Sequence, residues 1–337
     1  MTVSEYKTKV NKFKILRIFL EILFAFIKSI LSPCSYYLLT LTLLPYLRRV
    51  KNSFLSFVGW TLTGFGLGIA LMSLVLLLFG YSAHQIQDPN LAHTTAAALA
   101  LGWANVGFQF GAFVFPSFIF YWLQRHSWTS PWKTLPPLPI MALGAISLLI
   151  GAGFIDLLSV INLKILETSP SLAQWAHSGE TVQTELQKAL MNQPQGSGIL
   201  QVIIIIALVP AVFEEYFFRG ALFHWLLQWL SPWKVMVITG FIFSLIHFQF
   251  EGFLSRWFMG VFLGFLAYQS QSLWPSILAH FFNNLSGIFL YYHFQGSMTA
   301  PEGHWMNSPI WWGISTVLMF GLVLWIRKSV RNRAVPI

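Results

Sequence analysis

Long apolar runs separated by short polar stretches make up most of this chain, and they restrict its possible folds more than any other feature. Eight runs stand out, at roughly residues 55–79, 97–123, 139–163, 199–228, 234–250, 253–270, 275–292 and 309–326. Most reach the ~20 residues that an α-helix needs to cross ~30 Å of hydrocarbon. Only 9% of the 337 residues are charged, whereas soluble domains carry about 25%. We therefore predict an all-α, polytopic membrane helical bundle with about eight transmembrane helices.

The first 47 residues are largely apolar but are interrupted by charges. Glu21 and Lys28 lie within residues 13–32, and residues 36–47 are short for a span. These segments could lie in the plane of the membrane interface, with lysines reaching the headgroups, or they could form a helical hairpin. The internal charges argue against a cleavable signal peptide. The prediction is an N-terminal interfacial helix or hairpin.

Cations lie mainly at the ends of the apolar runs. Nine of the twenty Lys and Arg residues precede residue 52 and four lie in the last eleven residues, whereas the 80–96 loop contains none. Because cytoplasmic loops carry an excess of Lys and Arg, this distribution predicts eight spans with both termini in the cytoplasm. The net charge of +9 comes from Lys and Arg residues that flank the segments embedded in the lipid bilayer. No nucleic-acid partner is expected.

The fourth apolar run contains ionisable residues, which are costly inside hydrocarbon. Its central sequence reads Glu214-Glu215-Tyr-Phe-Phe-Arg219. Adjacent side chains on a helix point about 100° apart, so the two carboxylates cannot serve one purpose. Glu215 and Arg219 are spaced i,i+4 and are expected to form an ion pair. This leaves Glu214 either as a buried, protonated structural residue or as a carboxylate that exchanges protons with a substrate or water.

Two later runs add histidines and an amide. His247 follows in Phe-Ser-Leu-Ile-His, and His280 and Asn284 are spaced i,i+4 in His-Phe-Phe-Asn-Asn. Two histidines and a glutamate could form a zinc site of the His₂Glu type. They could equally surround a water molecule that Glu214 deprotonates, with Asn284 donating a hydrogen bond to the developing oxyanion. The adjacent Asn283 points in another direction and is a weaker candidate.

The order Glu-Glu-x-x-x-Arg, Phe-x-x-x-His and His-x-x-x-Asn, on three separate hydrophobic helices, resembles the CAAX-protease and bacteriocin-processing family of intramembrane peptidases. That family includes the CAAX prenyl endopeptidases of eukaryotes and many bacterial membrane proteins, some of them linked to bacteriocin self-immunity. The resemblance covers about residues 139–326 and is strongest over residues 207–290. Residues 1–135 resemble no family that we can name.

The resemblance implies a role for each motif residue. Glu214 would activate the attacking water, and His247 and His280 would line the same cavity. Asn284 would stabilise the tetrahedral intermediate, while Glu215 and Arg219 would hold the first motif in place. The family is commonly described as metalloproteases, yet its glutamate could work without a metal. Zn²⁺ held by Glu214, His247 and His280 therefore remains an alternative.

The implied function is an intramembrane endopeptidase that cuts membrane-associated peptides or proteins, placed in the bacterial inner membrane. A proton-coupled transporter is one alternative, because acids and histidines in spans also build proton relays. The absence of inverted repeats in the sequence argues against it. A non-catalytic immunity or partner protein is another alternative, and the intact motif set argues against that.

The predicted domain organisation follows from the charges and the motifs. Residues 1–52 form a basic interfacial segment, residues 53–135 an accessory transmembrane pair, residues 136–328 the peptidase-like core and residues 329–337 a cytoplasmic basic tail. The longest polar stretch, 164–198, is placed outside the membrane and contains a surface helix from Ser171 to Leu190.

Depth in the membrane places a further condition on the core. At ~1.5 Å per residue, Glu214 and His247 lie roughly 20 Å from the cytoplasmic ends of their runs, but His280 lies only about 8 Å beyond Pro275. For the three side chains to meet, the seventh helix must start below the membrane surface, through a dipping 270–275 link, or the helices must tilt strongly.

Arg256 and His224, two other ionisable residues within the runs, are expected to have ordinary roles. Arg256 could pair with Glu251, five residues away, or extend to the headgroups. His224 lies beyond Arg219 in the cytoplasmic half of the fourth run and is expected at the interface.

The predicted topology can be tested by cysteine accessibility. We expect Ser297→Cys to react with a membrane-impermeant maleimide from outside intact cells, and Ser329→Cys to react only after permeabilisation, because the charge pattern places them on opposite sides. The reverse labelling pattern would discard this topology.

Overall fold

The computed structural model describes residues 54–82, 95–123, 135–192, 197–297 and 300–331. Within these ranges the chain forms helices, turns and loops without any strand, which confirms the predicted all-α class. The predicted N-terminal interfacial helix or hairpin and the end of the basic tail lie outside the described residues. The described residues from Phe57 onward form one compact unit, and the division into an accessory pair and a core stays a prediction.

Thirteen α-helices are described, in chain order. The first five are α1 (Phe54–Leu78), α2 (Thr95–Gln109), α3 (Phe115–Leu123), α4 (Leu138–Ile150) and α5 (Ala152–Glu167). The next four are α6 (Pro170–Met191), α7 (Ser197–Val202), α8 (Val209–Glu215) and α9 (Phe223–Leu226). The last four are α10 (Pro232–Leu245), α11 (Phe253–Ser270), α12 (Trp274–His293) and α13 (Pro309–Arg331). Widened π-helical turns join α2 to α3, α7 to α8 and α8 to α9, at Phe110–Val114, Ile203–Leu208 and Tyr216–Leu222.

Four of the described helical stretches are long and apolar enough to cross a membrane: 55–78, 96–123, 198–226 and 309–329. The bent pair α4 and α5 adds a fifth if it is counted as one span. The chain is therefore a polytopic integral membrane protein. The predicted number of eight spans is not confirmed: α10 has only 14 residues, and α11 and α12 are not among the helices that are long and apolar enough to count as candidate spans.

The third predicted span is two helices, bent by 40° around Gly151. A backbone group released at such a break needs a new partner inside the membrane. Ser315 of α13 supplies it: its hydroxyl donates to the carbonyl of Ile150 at 2.7 Å and accepts from the N–H of Phe154 at 3.2 Å. Gly153 allows this close packing, since a Cβ there would lie 2.9 Å from Ser315 Cβ. The apolar run predicted over 139–163 is therefore built from two helices joined at a bend.

Helices α10 and α11 form a tight antiparallel hairpin. A Cβ on Gly260 would lie 2.6 Å from the Cα of Gly240, so the backbones touch where the two glycines cross. Small residues at such crossings are the usual means of bringing membrane helices together. The contact also carries the Gly260 carbonyl deep into the core.

The fifth predicted span ends earlier than expected, at Leu245 rather than at residue 250. Phe248 has a positive φ of 53°, which turns the chain out of the helix. The following loop is held by Asn162 of α5, whose amide donates to the carbonyls of Phe250 and Glu251 at 2.7 Å each. His247 consequently lies just beyond the end of α10 rather than inside a helix.

Helix α12 begins against the middle of α4. Gly144 is about six residues, or roughly 9 Å, beyond the start of α4, and a Cβ at that glycine would lie 2.9 Å from the Cβ of Pro275. Gln271, in a left-handed conformation with φ 53°, ends α11 and turns the chain toward this point. Helix α12, the seventh predicted span, therefore starts partway along α4. This start lets His280 reach the depth of the first motif, Glu214 to Arg219.

Aromatic side chains join the first helices to the motif span. Phe57 of α1 stacks on Trp225, with ring centroids 4.6 Å apart. Phe113, in the first π turn, contacts Phe217 and Phe218 at 5.6 Å and 5.9 Å. The helices that precede residue 124 thus form one wall around the span that carries Glu214.

Candidate active site

A buried ion pair lies at the centre of the helices. Arg219 Nη1 donates to Glu215 Oε1 at 2.7 Å, and both side chains are fully buried. The pair predicted from the i,i+4 spacing is therefore present. Arg219 Nη2 also donates to the carbonyl of Gly260 at 2.8 Å. The guanidinium thereby ties the motif span to the α10–α11 hairpin.

His280 joins the same carboxylate. Its Nδ1 lies 3.0 Å from Glu215 Oε1. Since an ionised carboxylate only accepts hydrogen bonds, Nδ1 is the donor, and in the neutral tautomer Nε2 is left as an acceptor. Glu215 therefore binds Arg219 and orients His280 at the same time.

Phe243, the first residue of the second motif, packs against three basic side chains of the site. Arg219 Cζ lies 4.7 Å from its ring centroid, and the imidazoles of His247 and His280 have centroids 4.9 Å and 5.7 Å away. A cation over an aromatic face is attracted by the ring quadrupole. Phe243 thus sets the positions of both histidines relative to the ion pair.

His247 is oriented by the backbone of its own motif. Its Nδ1 lies 2.6 Å from the carbonyl oxygen of Phe243, which can only accept. Nδ1 is therefore the donor, and Nε2 is left as an acceptor in the neutral form. The spacing Phe-x-x-x-His is what allows this bond at the end of α10.

Glu214 is buried, with 8% of its surface exposed. Its Oε2 has no hydrogen-bond partner within the described residues. The residue lies one position before the end of α8, where the helix widens into the π turn Tyr216–Leu222. Such π turns frequently occur at functional sites, and nothing in the sequence signals this one.

The four residues predicted to be catalytic share one cavity of about 900 Å³. Glu214, His247, His280 and Asn284 all line it, together with Asn283, the weaker candidate. Glu215 and Arg219 are not among the lining residues and lie behind the wall. His224 is also absent from the lining, and its Nδ1 donates to the carbonyl of Gly220 at 2.6 Å.

The sequence offers none of these four side chains an obvious local partner, but in the structure three of them have one. His280 bonds to Glu215, His247 bonds to the Phe243 carbonyl, and Asn284 Nδ2 donates to the carbonyl of Ile206 at 3.3 Å. Of these four residues, Glu214 is the one with a buried side-chain oxygen that has no hydrogen-bond partner within the described residues.

Arg256 has a different position from the two that were expected. It lines the cavity, and its Nη2 donates to the carbonyl of Gln249. Glu251, its expected partner, instead accepts from His177 of α6 at 2.9 Å. The reason is that α11 begins only at Phe253, which places Arg256 in its first turn, facing the loop before it.

Polar residues that precede the motif helices also line the cavity, and they were not predicted from the sequence. Asn105 and Gln109 of α2 line the cavity, as do Gln187 and Lys188 of α6. Two amides spaced i,i+4 inside an apolar run were the available signal for the first pair. The cavity extends from Glu214 to Lys188 and Ser297, at the ends of α6 and α12.

Glu214, His247 and His280 are the donors of the predicted zinc site. Within the described residues, no group of three or more His, Cys, Asp or Glu side chains is placed to hold a metal ion. Glu214, His247 and His280 line the same cavity without forming such a group. Zn²⁺ bound by these three residues therefore stays a prediction.

Residues 196–286 match the family described as type II CAAX prenyl endopeptidase Rce1-like. The match covers roughly a quarter of the chain and contains all three motifs, from Glu214 to Asn284. The resemblance to the CAAX-protease and bacteriocin-processing family is thereby confirmed. The chain has no match among curated proteins and none among solved structures.

The buried pair predicts the behaviour of Arg219→Ala. Removing one partner of a buried pair costs roughly 3–5 kcal/mol, because the other charge is left uncompensated. We expect a lower yield of folded protein in size-exclusion chromatography, together with lower activity. Arg327→Ala, which removes an exposed cation, is the matched control. If the two variants accumulate equally and both stay active, the pair contributes nothing to the fold or the site.

Proposed function

We propose that this chain, whose CAAX-protease-like segment holds the site, is an intramembrane endopeptidase acting on membrane-associated peptides or proteins. The observation that carries the proposal is the cavity in which Glu214 has a buried, unpartnered carboxylate oxygen beside His247, His280 and Asn284. A carboxylate that is not engaged elsewhere is available to take a proton from water.

Glu214 is the general base of the proposed reaction. A water molecule in the cavity attacks the carbonyl carbon of the scissile peptide bond while Glu214 accepts one of the water's protons. The tetrahedral intermediate carries a negatively charged oxygen. The C–N bond then breaks, and the leaving nitrogen receives the proton from Glu214, which gives a free amine and a carboxylic acid.

Asn284 and the two histidines complete the site. A carboxamide nitrogen has two N–H donors, and the Ile206 carbonyl accepts from Asn284, so the second N–H can donate to the oxyanion. Such a donor is worth ~10²–10³ in rate where it has been removed from other hydrolases. His247 and His280, each with Nδ1 engaged, have Nε2 atoms with which to orient the water.

The second glutamate has a separate task in this proposal. Glu215 Oε1 is bound to Arg219 and His280, and Glu215 does not line the cavity, so it is not placed to act as the base. Its task is to keep His280 in one orientation and the motif span in register with α11. Adjacent glutamates thereby take different roles, one structural and one chemical.

The proposed setting is the bacterial inner membrane, with both termini in the cytoplasm. In that topology the cavity end marked by Lys188 and Ser297 belongs to the outer side, together with the loop that has no Lys or Arg. The substrate would be a peptide segment that enters the membrane or lies against its outer surface. No step of the proposed reaction requires a metal ion.

Glu214→Gln tests the proposal. This change keeps the shape of the side chain but removes the base, and general base catalysis contributes about 10²–10⁴-fold in rate. We expect membranes with the wild-type chain to release peptides that membranes with Glu214→Gln do not, measured by mass spectrometry of new chain termini. His224→Ala, which alters a residue outside the cavity lining, should give the wild-type pattern.

Other outcomes separate the alternatives. Identical peptide patterns for wild-type and Glu214→Gln membranes would contradict the peptidase and favour the transporter or the non-catalytic partner. Cleavage of a synthetic copy of the released segment should continue in 1,10-phenanthroline. Loss of cleavage that Zn²⁺ restores would instead support the His₂Glu alternative.

A further inference from the structure

Gln109 lies in the wall of the cavity and takes no part in the proposed chemistry. It is 6% exposed, and its Oε1 has no hydrogen-bond partner within the described residues. Burying an unsatisfied polar atom costs roughly 1–3 kcal/mol in general. Buried polar groups in proteins nearly always find partners, so an orphaned oxygen in a cavity wall points to a partner that enters the cavity.

The position of Gln109 is fixed by tight packing. It is the last residue of α2 before the π turn Phe110–Val114. Within that turn a Cβ on Gly111 would lie 2.3 Å from the backbone nitrogen of Gly68, so α1 and the turn are in direct contact. The carboxamide is therefore held on a rigid support.

The same packing aligns Gln109 with the base. The ring of Phe110 contacts the ring of Phe213, with centroids 6.0 Å apart. These phenylalanines are the chain neighbours of Gln109 and Glu214, and both polar residues line the same cavity. The two helices therefore present Gln109 and Glu214 from adjoining walls.

Asn105 lies one helical turn before Gln109 and also lines the cavity. Residues spaced i,i+4 on a helix share a face and are separated by about 6 Å along its axis. In an extended peptide, every second residue points the same way and recurs at about 6.6–6.8 Å. A carboxamide also offers one acceptor and two donors, which complement the N–H and C=O of a peptide unit.

We propose that Asn105 and Gln109 form a peptide-backbone subsite, in which their carboxamides bind alternate peptide groups of an extended substrate. Gln109 Oε1 accepts a peptide N–H, and the chain runs along α2 toward Glu214. The ligand class is a peptide in extended conformation, recognised through its backbone rather than its side chains. This inference rests on the proposed function and names how its substrate is held.

The subsite gives a role in substrate binding to a helix outside the segment that carries the motifs. Asn105 and Gln109 lie outside the 196–286 segment that carries the motifs, so the preceding helices contribute to substrate positioning as well as to packing. A cavity of about 900 Å³ is at the upper end of the ~300–1,000 Å³ typical of small-ligand sites. It therefore holds a short stretch of extended chain rather than a folded domain.

The test measures peptide capture, so that it does not depend on turnover. Purified Glu214→Gln protein in detergent is incubated with a mixture of random-sequence octapeptides, and retained peptides are quantified by mass spectrometry. We expect Gln109→Leu in this background to lower retention about tenfold across peptides of unrelated sequence. Gln109→Glu, which keeps an acceptor oxygen, should restore most of it. Gln228→Leu, at an exposed position, should retain peptides normally.

A second measurement separates positioning from a structural role. The best-retained peptide is synthesised with each backbone nitrogen methylated in turn, which removes one N–H at a time. One methylated position should lower retention by the Glu214→Gln protein about tenfold, yet have little further effect once Gln109→Leu is also present. A purely structural glutamine would leave the two losses additive.

Two results would overturn the subsite: no retention of any peptide by the Glu214→Gln protein, or equal retention with and without Gln109→Leu. Failure of the proposed function has a different signature. In that case the Glu214→Gln protein retains peptides through Gln109, but the wild-type protein leaves the same peptides uncut.

Discussion

A guanidinium buried among aromatic rings has to be neutralised and hydrogen-bonded, and this requirement organises the core of the protein. Arg219 meets it with the carboxylate of Glu215, the carbonyl of Gly260 and the ring of Phe243. Each of these contacts depends on a particular feature of the fold. The Gly260 carbonyl is within reach because α10 and α11 cross at two glycines, and Phe243 lies on the inner face of α10. Three segments of the chain thus converge on one cation.

The same constraint explains how two adjacent glutamates come to differ. Glu215 Oε1 is committed to Arg219 and to His280. Glu214, one residue earlier, faces the cavity with an oxygen that has no partner within the described residues. The buried pair keeps the neighbouring side chain in place without engaging it. Glu215 Oε2 and Arg219 Nε also lack partners within the described residues, so the difference between the two glutamates is that Glu214 lines the cavity and Glu215 does not.

Much of this could be predicted from the sequence, because the strongest signals were local. The apolar runs gave the helical class, and the i,i+4 spacing of Glu215 and Arg219 gave the ion pair. The bond between His280 and Glu215 could not be predicted, since it depends on α12 starting against Gly144, partway along α4. The π turn after Glu215, the bend at Gly151 and the early end of α10 depend on tertiary contacts that periodicity does not record. Gln109 was missed because two amides spaced i,i+4 in an apolar run, Asn105 and Gln109, do not by themselves show that their face of the helix lines a cavity.

The division of labour between the glutamates is the central claim, and the thermal stability of two matched variants tests it most directly. Purified Glu215→Gln and Glu214→Gln proteins are compared with wild type by their apparent Tm in detergent. We predict that Glu215→Gln lowers Tm by at least about 5 °C, because Arg219 is left uncompensated. Glu214→Gln should stay within about 2 °C of wild type, because no protein partner of its Oε2 is lost. Equal shifts for the two variants, or a larger loss for Glu214→Gln, would contradict the account.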